Sequence, residues 1–267
     1  MKKYLAVFRI RFINALQYRA AAAAGVATQF AWGFMEIFLF SAFYRANPGA
    51  FPMEFSHTVS YIWMQQAFLA LFMLWFWESD VSEAIESGGI AYELVRPMNL
   101  YSRWFAQACA NRSARALLRC APILLIAFFV PEPYRMSLPP DFYTFFMFLI
   151  SAALSLGVVV ATSMLAYVSI FYTLSSTGVR TVFATIGGFL AGEFIPIPFF
   201  PAPIRAVVEL LPFAAMQNMP LRIYSGNISG GNVLRGILFQ LFWLGVLLAL
   251  GQSTMRRALK RVVVQGG

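Results

Sequence analysis

The 267-residue chain reads as an all-α integral membrane protein. The sequence predicts six transmembrane helices, an N-terminal amphipathic interfacial helix, a short cytoplasmic helix between spans 2 and 3, and re-entrant helices between spans 5 and 6. Three observations predict this class. Hydrophobic residues make up 60% of the chain and charged residues only 12%, about half the charge of an ordinary globular domain. Several apolar runs approach the roughly 20 residues that a helix needs to cross hydrocarbon. Lys and Arg crowd into one alternating set of connections, as positive-inside topology requires.

The spans are placed at Ala20–Tyr44, Thr58–Trp77, Asn111–Val130, Phe142–Tyr167, Thr181–Phe194 and Val233–Gly251. The fifth is short and runs into Pro196, Pro198, Pro201 and Pro203, so its far end must be broken. With both termini inside, the inner side holds fifteen basic residues, in the clusters around Lys2–Arg19, Arg96–Arg119, Arg180 and Arg256–Arg261. The outer side holds five: Arg45, Arg135, Arg205, Arg222 and Arg235. An odd number of spans would put one terminal basic cluster outside. The opening MKK is too far from the apolar run to be a signal peptide, so the first span is expected to be uncleaved.

The same charge pattern sets other classes aside. A net charge of +9 reads as topology, because no basic run interleaved with polar groups offers a nucleic-acid face. Cys109 and Cys120 match no metal-ligand spacing and are read as reduced thiols. With His57 as the single histidine, zinc and His-based nucleophilic catalysis have almost nothing to work with. No P-loop is present for ATP, and no metalloprotease or hydrolase motif. The spans carry no relay of acids, which weakens a proton-coupled mechanism.

Three pieces do not span. In residues 1–19, Leu5, Phe8, Phe12 and Leu16 recur at helical spacing among five cations, which reads as a helix in the inner interface. It is either a lipid anchor alone or also touches a cytoplasmic partner. Residues 78–104 are patterned where a bare connection needs only a few residues. Acidic residues flank Val81 and Ile85, Gly88-Gly89 suits a helix stop, and IAYELV halts at Arg96-Pro97. This is a turn-bounded knob or an ordinary polar loop. Residues 194–232 are too apolar for a free loop and too rich in proline to span. Such backbone survives at membrane depth only against protein.

Five charged residues sit at membrane depth. Arg112, Arg115 and Arg119 share a helical face; they either snorkel to lipid phosphates or line the inner mouth of a pathway. Glu36 lies inside span one and Glu193 at the outer end of span five. Each is a carboxylate satisfied by neighbours or water, or a contact for a cationic substrate or gate.

Taken together, the basic elbow before span one, the stretch ESGGIAYELVRPMNLYSRW and the Pro-rich IPIPFFPAPIRAVVELLPF resemble the ABC-2 type permeases, the membrane subunits of ATP-binding-cassette exporters. The resemblance extends over essentially the whole chain as a single transmembrane domain, 1–267. The G-I-x-x-x-L-V-R-P wording is similar to a bacterial subgroup with a separate ATPase subunit. The resemblance implies an efflux permease in the bacterial inner membrane, paired with a second permease (an identical or related copy), surrounded by lipid and driven by a cytoplasmic ATPase dimer that binds ATP and Mg. It makes 78–104 the coupling helix segment, with Glu86, Gly88, Gly89, Arg96 and Pro97 as coupling residues, and 194–232 the outer gate. The aromatic spans and two acids are compatible with a hydrophobic or cationic small molecule. The competing reading is an ion-coupled secondary transporter that acts without an ATPase.

Overall fold

The computed structural model describes residues 2–47, 49 and 51–262, and all regular structure among them is helical. In chain order the helices are α1 (Lys2–Ala15), α2 (Arg19–Ala46), α3 (Phe55–Ala67), α4 (Leu69–Phe72), α5 (Ser79–Glu86) and α6 (Ile90–Leu94). They continue with α7 (Leu100–Phe129), α8 (Phe142–Thr173), α9 (Ser176–Ala191), α10 (Ala202–Val208), α11 (Asn218–Tyr224) and α12 (Gly231–Leu259). Three are long and apolar enough to cross a membrane: α2 over Ala22–Ala46, α8 and α12.

Local chemistry sets the helix ends. Asp141 precedes α8 and its Oδ1 accepts the Thr144 N–H at 2.6 Å, which holds its carboxyl below the usual range. Asn99 caps α7 in the same way, accepting the Ser102 N–H at 3.0 Å. These are side-chain caps for otherwise orphaned amides. At the other end of α9, Gly192 takes φ 80°, and the Glu193 N–H returns to the Gly188 carbonyl at 3.0 Å. The helix is therefore closed before the prolines begin.

α8 is the central pillar and packs most extensively on α12. Their contact is pinned by Gln240, fully buried. Its Oε1 accepts from Ser151 Oγ at 2.8 Å, and its Nε2 donates to the carbonyls of Ser151 and Ala215 at 3.1 and 2.9 Å. This polar group is satisfied on every side, as burial demands. α1 lies along α7, and both described chain ends reach the same end of the bundle as α5 and α6. Two helices, α10 and α11, fall within 194–232, where the Pro-rich pattern places a helical pair.

Two span assignments change. The third segment does not begin at Asn111. α7 is one helix of 30 residues from Leu100, with Pro122 inside it, so the helix that carries Arg112, Arg115 and Arg119 starts earlier than the predicted span. The second segment, placed at Thr58–Trp77, is broken. α3 stops at Phe68, α4 is a single turn, and the chain from Met73 to Glu78 is not helical.

The break is closed by Arg112. Its guanidinium donates to the carbonyls of Ala70 at 3.2 Å, Met73 at 2.7 Å and Phe76 at 2.8 Å, and to Ser163 Oγ at 3.4 Å. Carbonyls at a helix end have no partner within the helix, and leaving them bare in an apolar interior is costly. One planar fork of five donors answers three of them together. Arg112→Ala is expected to lower the unfolding free energy of the purified chain by about 3 kcal/mol, with Arg112→Lys intermediate. Thermal unfolding in detergent, followed by circular dichroism, checks the order.

Candidate functional site

The first candidate is the α5–α6 knob. Most of its acids engage neighbouring elements, while Glu83 is exposed. Glu78 Oε2 accepts from Asn111 Nδ2 at 2.6 Å, and its backbone N–H donates to Tyr167 at 2.7 Å. Burial pushes the Glu78 carboxyl above its ordinary range, against the pull of Arg115 and Asn111. Asp80 accepts from Gln107 at 2.8 Å and pairs with Arg11 of α1 at 3.2 Å. Glu93 is engaged by Arg103, Trp104 and Arg96. α1 also grips the exit of the knob: Lys3 Nζ donates to the Pro97 carbonyl at 2.6 Å, and the Asn99 N–H donates to Tyr4 at 3.1 Å. The inward face of α1 runs through Tyr4, Phe8, Phe12 and Leu16, while Leu5 is left exposed.

The pattern at 78–104 forms two short helices, α5 and α6, with two refinements. Gly88 adopts φ 76° and supplies the stop, but Gly89 has ordinary helical geometry. Glu86 is in the last turn of α5, not at its positive end. Its Oε1 accepts the backbone N–H of Ser176 at 2.5 Å, so it holds the start of α9. Beside this contact the α8–α9 turn passes through Leu174 at φ 50°, a conformation costly for a residue with a Cβ.

Sequence reasoning missed the knob's outer surface. Tyr92 and Val95 are 79% and 81% exposed, beside Arg96. Tyr92 borders a cleft of about 970 Å³ running from Gly88 to Leu174 and Arg261. The only sequence signal is the odd pairing of large apolar residues with charges in YELVR, too short for a periodicity to resolve.

The second candidate is a cavity of about 620 Å³ between α2, the α3–α4 region and the end of α9. It brings Glu36 and Glu193 together with Arg119, although they come from three distant segments. Trp32, Met35, Leu39, Leu69 and Phe194 make its walls largely apolar. The Glu193 carboxylate accepts from Trp75 Nε1 at 3.1 Å, and its backbone carbonyl accepts from Gln65 at 2.9 Å. The buried Oε1 atoms of Gln29, Glu36, Gln65 and Gln66 have no hydrogen-bond partner among the described residues. Two carboxylates in a largely apolar lining favour a ligand that carries positive charge.

The three arginines of α7 divide. Arg112 is buried in the α4 break and lines neither this cavity nor the next. Arg115 stacks over Phe76, 5.6 Å from its centroid, and with Arg119 lines a separate charged cavity toward the knob. Arg119 borders both cavities. Its guanidinium lies against Gly25, where a Cβ would come within 2.7 Å of Cζ.

Long apolar helices around an internal cavity, with a folded knob at one end, define a multi-pass membrane transport component. The family is shown directly: residues 30–266 match the model described as ABC-2 family transporter protein, and the chain belongs to that family. It is accordingly a permease subunit of an ABC transporter, in a family that generally works with a cytoplasmic ATPase. No curated protein matches the chain.

Two substitutions separate the roles of the paired glycines. Gly88→Val is expected to cost about 1–2 kcal/mol through its left-handed backbone, although nothing lies within 4 Å of its added Cβ. Gly89→Ala is expected to stay within about 0.5 kcal/mol of the parent. Denaturant unfolding of the purified variants reads both.

Proposed function

We propose that this chain is the permease half of an ATP-driven exporter for hydrophobic organic cations. In this reading it sits in a bacterial inner membrane with both termini cytoplasmic. It pairs with a second permease, identical or related, and is driven by a separate ATPase dimer that binds ATP and Mg. The knob of residues 78–104, with Glu86, Gly88, Gly89, Arg96 and Pro97, couples to that ATPase. Residues 194–232 gate the far side.

The observation that carries the proposal is that α9 connects the knob to the cavity. The helix starts at the Glu86 carboxylate, and Glu193, the residue after its C-cap, lies in the cavity wall. A push on the knob is transmitted to the start of α9, where the Leu174 turn can yield, and displaces Glu193 relative to Glu36. The exposed Tyr92 and Val95 give the ATPase an apolar hold, and the cleft beside them gives it depth. Within the cavity, the Glu36 and Glu193 carboxylates compensate a cation for its lost water, and the apolar walls take its body. Moving Glu193 away weakens that compensation and favours release. Arg119 limits the charge of the site by facing the same space.

Affinity purification of the full chain from its native membranes, with mass spectrometry, is expected to recover a P-loop ATPase in stoichiometric amount. A chain that comes alone and still transports down an ion gradient would overturn the reading. In the assembled transporter, Glu36→Gln is expected to raise the half-saturating concentration of a hydrophobic amine about ten-fold with ATPase binding intact. Glu86→Lys and Val95→Asp are expected to do the reverse, abolishing substrate-stimulated ATP hydrolysis while leaving substrate binding in place.

A further inference from the structure

The charged cavity next to the knob has features that substrate passage does not explain. It encloses about 590 Å³, well within the size of small-molecule sites, about 300–1,000 Å³. Its walls are the α1–α2 turn, the end of the broken segment at Phe76–Asp80, and α7 from Asn111 to Arg119. Three arginines, Arg11, Arg115 and Arg119, face two carboxylates, Glu78 and Asp80.

These charges are unequally matched. Arg11 and Asp80 pair at 3.2 Å. Arg115 and Arg119 lie four residues apart on one helix face, where like charges repel, and neither has a carboxylate within ion-pair distance among the described residues. Arg119 Nε is also buried without a partner. Two adjacent forks with free donors match the oxygens of a phosphate. Glu78, from the adjoining wall at Phe76–Asp80, has one oxygen held by Asn111, one turn before Arg115 on α7; no hydrogen bond falls on the other among the described residues. The cavity therefore offers a double cation and, beside it, a single anion.

Its position selects the source of such a ligand. Tyr18, 72% exposed, forms its rim, and the apolar run of α2 follows at once after Arg19. The rim is therefore at head-group level, where an exposed aromatic ring is at home. We infer that this cavity binds the head group of a zwitterionic amino-phospholipid. Arg115 and Arg119 hold its phosphodiester, and its primary ammonium faces Glu78. The acyl chains leave past Tyr18 along α2. The bound lipid joins the elbow helix, the start of the knob and α7 through one shared ligand, and separates the two repelling guanidinium groups.

The test is native mass spectrometry of the full chain, stripped of lipid in detergent and titrated with phosphatidylethanolamine, phosphatidylcholine or phosphatidylglycerol. Soluble glycerophosphoethanolamine is the competitor. One phosphatidylethanolamine is expected to bind, with the other two lipids about ten-fold weaker, because one cannot donate hydrogen bonds from its ammonium and the other has none. The soluble head group is expected not to displace it at equal concentration. Arg115→Gln with Arg119→Gln is expected to abolish the bound lipid, and Glu78→Gln to erase the preference over phosphatidylcholine. Equal affinity for the three lipids would overturn the inference in the unaltered protein, whatever the variants do. Lipid retained by a folded double variant, or displacement by the soluble head group, would also overturn it.

Discussion

A single guanidinium allows the second apolar segment to be broken. Helices cross apolar surroundings because they satisfy their own backbone, and α4 gives up that protection when the chain turns extended at Met73. Arg112 restores it from a different helix, taking the carbonyls of Ala70, Met73 and Phe76 on one rigid fork. Much of the remaining architecture relies on this. The non-helical stretch it stabilises carries Trp75 to Glu193, Phe76 to Arg115 and Glu78 to Asn111. Both cavities use walls supplied by that stretch. A lysine in its place would offer a point charge with no fork, so the choice of arginine follows from the geometry of the break.

The knob shows the same economy with charges. Glu78, Asp80, Glu86 and Glu93 look from their spacing like a solvated acidic surface, yet each is held by another element: α7, α1, α9 and α7 again. Outward lie two large apolar residues, Tyr92 and Val95, with Arg96 beside them, and the carboxylate of Glu83. A module attached through its charges and exposed through its apolar residues is rigid toward its own chain and adhesive toward another. That division supports a role in coupling better than an acidic patch would.

Arg119 stands between the two cavities. Its contact with Gly25 allows α2 and α7 to approach closely, and its guanidinium is shared between an apolar space that holds two carboxylates and a charged space that holds further arginines. In the proposed cycle a cationic substrate is repelled from the charged side and accommodated on the other, which gives the membrane cavity its selectivity.

Composition, basic asymmetry and proline placement were enough to determine the class: an all-helical membrane protein with an amphipathic elbow, a punctuated knob and a Pro-broken segment before the last helix. These are one-dimensional quantities, and the bilayer translates them almost directly into structure. The Gly88 stop and the helices within 194–232 were legible for the same reason, since backbone stereochemistry is local. The meeting of Glu36 with Glu193 was not legible, because 157 positions separate them and no pattern in either helix points to the other. The break after Phe72 was hidden as well: the run from Ala67 to Trp77 is continuously apolar, and the group that makes the break tolerable, Arg112, lies on another helix. The partners of Glu86 and the separate duties of Arg112, Arg115 and Arg119 were likewise decided by packing alone. Hydropathy reports which residues leave water, but only the tertiary structure determines which buried polar groups find one another.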